Sequence, residues 1–130
     1  MNDPTLLEEL LTGARAALDP YFAESDPAAY VERFGEQATY FDPNSGGKLE
    51  GGAIAKLFGA YTGQIPKWRY EILNPSLDAR GDTAVFTFNL ETYDLDDDSV
   101  TSRWNTTEVH ARTADGWRMI HAHWSHTEPG

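Results

Sequence analysis

The spacing of the apolar residues changes once along this chain. Up to residue 61 they recur at helical spacing, and from residue 68 to residue 126 they alternate. Helices first and long alternating segments second imply an α+β fold, with helices packed on one face of a mainly antiparallel sheet. Thr5 to Leu18 carries leucines at 6, 7, 10, 11 and 18, with Ala14 and Ala17 between them, and Asp19-Pro20 reads as its stop. Asp26-Pro27 reads as a cap and first position of a second helix through Tyr30, Val31 and Phe34 to Gly35. A short strand follows at residues 38–41, then a helix from Ala53 to Tyr61 behind Gly51-Gly52.

The second half reads as four strands. Trp68 to Asp78 is interrupted at Asn74-Pro75, which predicts a bulge. Gly81-Asp82 turns the chain into Thr83 to Asp94, where Ala84, Phe86, Phe88 and Leu90 share one side. Val100 to Thr113 and Trp117 to His126 are joined by the turn Ala114-Asp-Gly116. Strands of this length must twist and curl. Curled around the helices into a cone, the sheet is expected to leave a hollow that suits a small molecule.

With 130 residues and 40% hydrophobic content, the chain has enough apolar material for one core, so residues 1–130 are read as a single domain. The net charge is −11 and the ten basic residues are scattered, which argues against a nucleic-acid partner. There is no cysteine, so disulfides and thiolate chemistry are excluded. The first residues lack a leader pattern and no apolar run reaches the ~20 residues of a membrane span. The expectation is a cytoplasmic protein without a membrane partner. The run Asp94-Leu-Asp-Asp-Asp98 reads as a solvated hairpin loop, since it lacks the glycine and distal glutamate of a calcium loop.

Several segments together resemble the nuclear transport factor 2-like superfamily. They are Phe41-Asp-Pro with Gly47-Lys-Leu-Glu-Gly51, Ile72-Leu-Asn-Pro75, Gly81-Asp-Thr-Ala84, and Asp115-Gly-Trp with Ile120-His-x-His-x-Ser125. Within it the chain looks most like SnoaL-like proteins and the association domain of calcium/calmodulin-dependent protein kinase II. The resemblance implies a curved mixed sheet, a homodimer or higher ring built through the sheet, and a deep pocket. Ketosteroid isomerase belongs to the same superfamily, and by this resemblance its catalytic aspartate corresponds to Asp42. Its first-helix tyrosine would fall at Leu18 or Ala17, and its protonated aspartic acid at Thr107 or a neighbour. The pocket arginines of the association domain would fall at Asn89 and Glu108, with Arg103 as a partial replacement.

The residues themselves suggest a site. Asp42 at a strand end is read either as a general base or as a turn former whose side chain bonds nearby amides. His121 and His123 share one strand face. They are read as a bonded core or interface pair, as zinc ligands if His110 or Glu108 joins them, or, for His123, as a proton shuttle. No metal and no cofactor is expected. Strand 100–113 divides into Arg103, Asn105, Thr107, Val109 and Ala111 against Trp104, Thr106, Glu108, His110 and Arg112. The first set becomes more apolar toward its end and is expected to face the helices. That places Arg103, Asn105 and Thr107 at the pocket mouth with Asn89, although a single bulge would exchange the two sets. Tyr40 and Trp124 are expected in the pocket wall, Trp124 on one face with Ile120 and Ala122. Two functions remain open: a site for a small hydrophobic or carbonyl-bearing ligand with acid–base chemistry, and a non-catalytic homo-oligomerisation module.

Overall fold

The computed structural model describes residues 3–127. Its elements in order are α1 (Pro4–Ala23), α2 (Ala28–Val31), β1 (Phe34–Phe41), β2 (Leu49–Glu50), α3 (Gly52–Tyr61), β3 (Arg69–Arg80), β4 (Thr83–Tyr93), β5 (Val100–Thr113) and β6 (Gly116–His126). The strands form one six-stranded sheet in the order β2-β1-β6-β5-β4-β3. Only the β1–β6 pair is parallel; the other neighbours are antiparallel. This is the helices-then-sheet architecture expected from the change of period.

Helix α1 is longer than its sequence signals suggest. Asp3 caps it by accepting from the Leu6 amide at 3.0 Å, with Pro4 in the first turn. Leu6, Leu10, Leu11, Ala14, Ala17, Leu18 and Phe22 form its buried stripe. The stripe carries the helix past Pro20 to Ala23, where Asp19-Pro20 had been read as the end. An interior proline costs about 3 kcal/mol. Ala16, whose carbonyl loses its partner, lies on the exposed side where water can reach it. Burying Phe22 and most of Tyr21 stabilises the last turn by a similar amount, about 1.5–3 kcal/mol for one full aromatic side chain.

Helix α2 is shorter than expected, because the chain enters β1 at Phe34. Asp26 still accepts from the Ala28 amide at 3.0 Å. Between α1 and α2, buried Ser25 adopts φ 53° and its hydroxyl accepts from the Ile65 amide at 2.7 Å. That bond ties the helical corner to the loop after α3.

The expected break in β3 is a bulge. Pairing with β4 shifts between Leu73 and Ser76, and Asn74 takes φ 55°. On β4, Ala84, Phe86, Phe88 and Leu90 all point into the core, as the alternation predicts.

The parity of β5 is the reverse of the expectation. Residues directly opposite in an antiparallel pair share a face. Phe88 faces Thr106, Phe86 faces Glu108 and Ala84 faces His110. Thr106, Glu108 and His110 are therefore buried, while Arg103, Asn105 and Thr107 occupy the outer face. Sequence pattern cannot anticipate a carboxylate on a core face, because burying one without a partner is prohibitive. A second correction concerns β6. Val109 pairs with His121 but His110 pairs with Met119, so Ile120 is an extra residue at a bulge. Met119, Ala122 and Trp124 face the core, and Ile120 is 41% exposed rather than sharing their face.

Gly51 precedes α3 with φ 54°, and its amide donates to the Ala38 carbonyl at 2.9 Å. A Cβ there would sit 3.0 Å from the Glu36 carbonyl oxygen. Gly51→Ala is expected to cost about 1–3 kcal/mol, from positive φ and crowding together. Urea denaturation checks this, with Gly52→Ala as the control, since open space surrounds that glycine.

Candidate functional site

Between the inner sheet face, α1, α3 and the loop after α3 lies a cavity of about 240 Å³. Its wall is chiefly aromatic. Tyr21 and Phe22 come from the last turn of α1, Tyr30 from α2, Tyr40 from β1, and Phe58 and Tyr61 from α3. Trp68, Trp104 and Trp124 complete the rings, with Ser102 and Leu90 between them and Asn44 and Gln64 exposed at the rim. Among the described residues, Asp42, just past the end of β1, is the only lining residue with a charged side chain.

Both carboxylate oxygens of Asp42 accept hydrogen bonds. Its Oδ1 accepts from the Asn44 amide at 2.7 Å, which is the turn-forming role. Its Oδ2 accepts from the Tyr40 hydroxyl at 3.0 Å and from the Tyr61 hydroxyl at 3.4 Å, and this oxygen belongs to the cavity end of the group. Burial pushes the Tyr40 phenol far above its ordinary range, and Tyr30 and Asp42 add to the shift. Burial, and then Asp42, raises Tyr61 as well. Both phenols therefore stay protonated and act as donors to the carboxylate.

Tyr21 is the residue that sequence reading missed. With the helix ended at Pro20 it fell outside α1, yet it lines the cavity from that helix. Burial, then Tyr61 and Asp42, push its phenol well above the ordinary value. Among the described residues its hydroxyl has no hydrogen-bond partner. The first helix thus supplies a pocket tyrosine three to four residues beyond the Leu18 or Ala17 expected from the family resemblance. Leucine spacing continuing to Phe22 was the signal that could have found it.

Behind the wall sits a buried ionic cluster. Arg33 donates from both terminal nitrogens to Glu108, at 2.8 and 3.0 Å, and His110 Nε2 lies 3.0 Å from the same carboxylate. The Tyr30 hydroxyl donates to Glu108 at 3.3 Å and accepts from Trp124 Nε1 at 2.8 Å. Burial opposes the charge on Glu108, but Arg33 and His110 together outweigh it and hold the carboxyl down at about 2. This cluster ties two rings of the cavity wall, Tyr30 and Trp124, to a fixed charge.

Of the expected site residues, Tyr40, Asp42 and Trp124 line the cavity, and Asn89, Arg103, Asn105, Thr107 and His123 do not. The reversed parity of β5 explains most of this. Asn89 bonds Asn74, Asn105 and the Trp104 carbonyl along the outer face, and Arg103 bonds Glu91. His121 and His123 also sit outside, both rings packed on Phe41, with His121 Nδ1 2.7 Å from the Thr39 hydroxyl. Burial and then His123 push the His121 imidazole below its ordinary value, and Thr39 acts in the opposite sense. Glu108 and His110 lie on the other face of the sheet and cannot join the pair as ligands.

The family model of the SnoaL-like domain matches residues 15–129. The chain belongs to this family. The SnoaL-like domain has the fold of the nuclear transport factor 2-like superfamily. A provisionally assigned ketosteroid isomerase from Parabacteroides distasonis is 34% identical, with 99% of this chain and 96% of that one covered and a TM-score of 0.76. A nuclear transport factor 2-like protein of unknown function from Pseudomonas putida superposes at a TM-score of 0.81, with 19% identity over 96% of this chain and 89% of that one. The calcium/calmodulin-dependent protein kinase II hub of S. rosetta gives 26% identity, 92% and 95% coverage and a TM-score of 0.73. Among curated proteins no sequence matches significantly. No helix among the described residues is long and apolar enough to cross a membrane.

Glu108→Gln leaves Arg33 buried without its counter-charge. It is expected to lower stability by about 3–5 kcal/mol in urea unfolding at pH 7. The folded-state pKa of Glu108 lies below the ordinary carboxylate value of about 4.3. Its contribution is therefore complete above that pH and disappears as pH falls through about 2. The stability gap between wild type and variant should shrink over this window.

Proposed function

We propose that this SnoaL-like domain binds a compact, largely apolar carbonyl compound in the aromatic cavity and moves a proton on it. Asp42 takes the proton from the carbon beside the carbonyl. Tyr21 donates a hydrogen bond to the oxygen, where negative charge develops as that C–H bond breaks. Where the compound carries a β,γ double bond, the anion formed is a dienolate, and return of the proton from Asp42 to its γ-carbon moves the double bond into conjugation and completes an isomerisation. The observation that carries this reading is a carboxylate and an uncommitted phenol lining one largely aromatic cavity. The similarity to the Parabacteroides distasonis protein supports it. The wall offers no carboxyl from β5 as a second oxyanion donor; Ser102 is the β5 hydroxyl that lines it, and it already accepts from Trp104 Nε1 at 2.9 Å.

The test is α-proton exchange of monocyclic enones in D₂O, followed by NMR. Wild type should accelerate exchange. Asp42→Asn should lower the catalysed rate by a factor on the order of 10²–10⁴, and Tyr21→Phe by on the order of 10²–10³. Equal exchange by wild type and Asp42→Asn would rule the reading out.

A second reading is homo-oligomerisation through the outer sheet face, alone or beside ligand binding. Val85 and Ile120 stand 38% and 41% exposed there, beside hydrogen-bonded polar rows such as Asn74–Asn89–Asn105. The structural similarity to the S. rosetta kinase hub supports it. Light scattering at micromolar concentration should give at least twice the chain mass, and Val85→Lys with Ile120→Lys should return a monomer.

A further inference from the structure

The polar end of the cavity is unusual in what it offers a ligand. The hydroxyl protons of Tyr40 and Tyr61 are both directed to Asp42 Oδ2. Toward the interior these two phenols present lone pairs, and an ionised carboxylate has only lone pairs, about four in all. Three of those are occupied by Tyr40, Tyr61 and the Asn44 amide. The result is a cluster of acceptors with a negative charge. Among the described residues, no lysine, arginine or histidine lines the cavity to balance it. Arg33, the nearest buried cation in the network, is fully engaged by Glu108 through both terminal nitrogens. Most of the remaining wall is aromatic, from tyrosine, tryptophan and phenylalanine rings whose faces carry negative quadrupole charge.

An anionic ligand therefore meets a carboxylate, an unbalanced acceptor cluster and aromatic faces, opposed by the Tyr21 hydroxyl, a donor that carries no charge to balance them. A cation meets the opposite. Cation–π attraction reaches about 2 kcal/mol or more where water is excluded. The carboxylate adds a direct Coulomb term that is strengthened in a low-dielectric cavity.

We infer that the cavity accepts an organic cation, a protonated amine or quaternary ammonium on an apolar body, with its positive group lodged among Asp42, Tyr40, Tyr61 and the tryptophan rings. This rests on the cavity being a ligand site, as in the function proposed above, and extends the ligand class beyond neutral carbonyl compounds. The same charge arrangement rejects carboxylates and phosphates.

The probes are benzyltrimethylammonium, its neutral isostere neopentylbenzene, and the anion 3-phenylpropanoate, titrated into wild type and Asp42→Asn. The two proteins differ by one charge out of the net −11, so attraction of cations to the acidic surface is nearly the same in both. Wild type should bind the ammonium at least about tenfold more tightly than the isostere, and should not bind the anion. Asp42→Asn should keep the isostere affinity and lose most of the preference for the cation. If the isostere binds as well as or better than the ammonium, or the preference survives in Asp42→Asn, the inference fails while the cavity remains a ligand site. If none of the probes binds and enones cause no α-proton exchange, both readings fail.

Discussion

Glu108 can occupy the core face of β5 only because Arg33 reaches it from the turn after α2. A buried carboxylate without compensation would cost several kilocalories per mole or be neutralised. Two hydrogen bonds from one guanidinium, with His110 and Tyr30 on the same carboxylate, remove that penalty. The pair joins residues 75 positions apart in sequence, so it locks the helical first quarter of the chain to the third strand of the antiparallel run. Much else follows from this contact. It sets which side of β5 is inner, and it holds Tyr30, which in turn holds Trp124.

The cavity depends on that arrangement. Its wall rings pack edge-on or tilted against one another, as in Tyr30–Trp124, Trp104–Trp124 and Phe58–Tyr61. Such contacts fill most of the space between helices and sheet and keep what is left apolar. Asp42 enters because the chain turns sharply after β1, and Tyr21 enters because α1 runs on past a proline. The polar chemistry of the site thus comes from one turn after β1 and one extended helix end at the edge of an aromatic core. The broad sheet face outside carries rows of hydrogen-bonded Asn, Thr and Ser side chains and two histidines packed on Phe41.

Much of this was legible in the residue pattern. The strands at 83–94, 100–113 and 117–126 lie within a residue of their observed bounds, and the bulge at Asn74-Pro75 stands where proline and asparagine signal it. Asp42, Tyr40 and Trp124 were legible as pocket residues, since a strand-end Asp-Pro and inward aromatics carry local signals. Asn89, Arg103, Asn105 and Thr107 were assigned to the wrong side of the sheet. Alternation defines two faces but does not label them, and the buried face of β5 happens to hold a carboxylate and a histidine. Pro20 hid Tyr21, because local propensity favours a stop that burial of Phe22 overrides.

The sequence by itself determined the class of fold and the order of its longer elements, though not the two-residue strand β2. These depend on period, turn residues and caps, all of which act over a few neighbouring positions. Only the tertiary structure decided which face of each strand lines the cavity, that Tyr21 lines the same cavity as Asp42, and that Glu108 is a buried anion paired with Arg33. Those outcomes rest on contacts between residues far apart in the chain, where one ion pair or one bulge reverses a face that local pattern leaves undetermined.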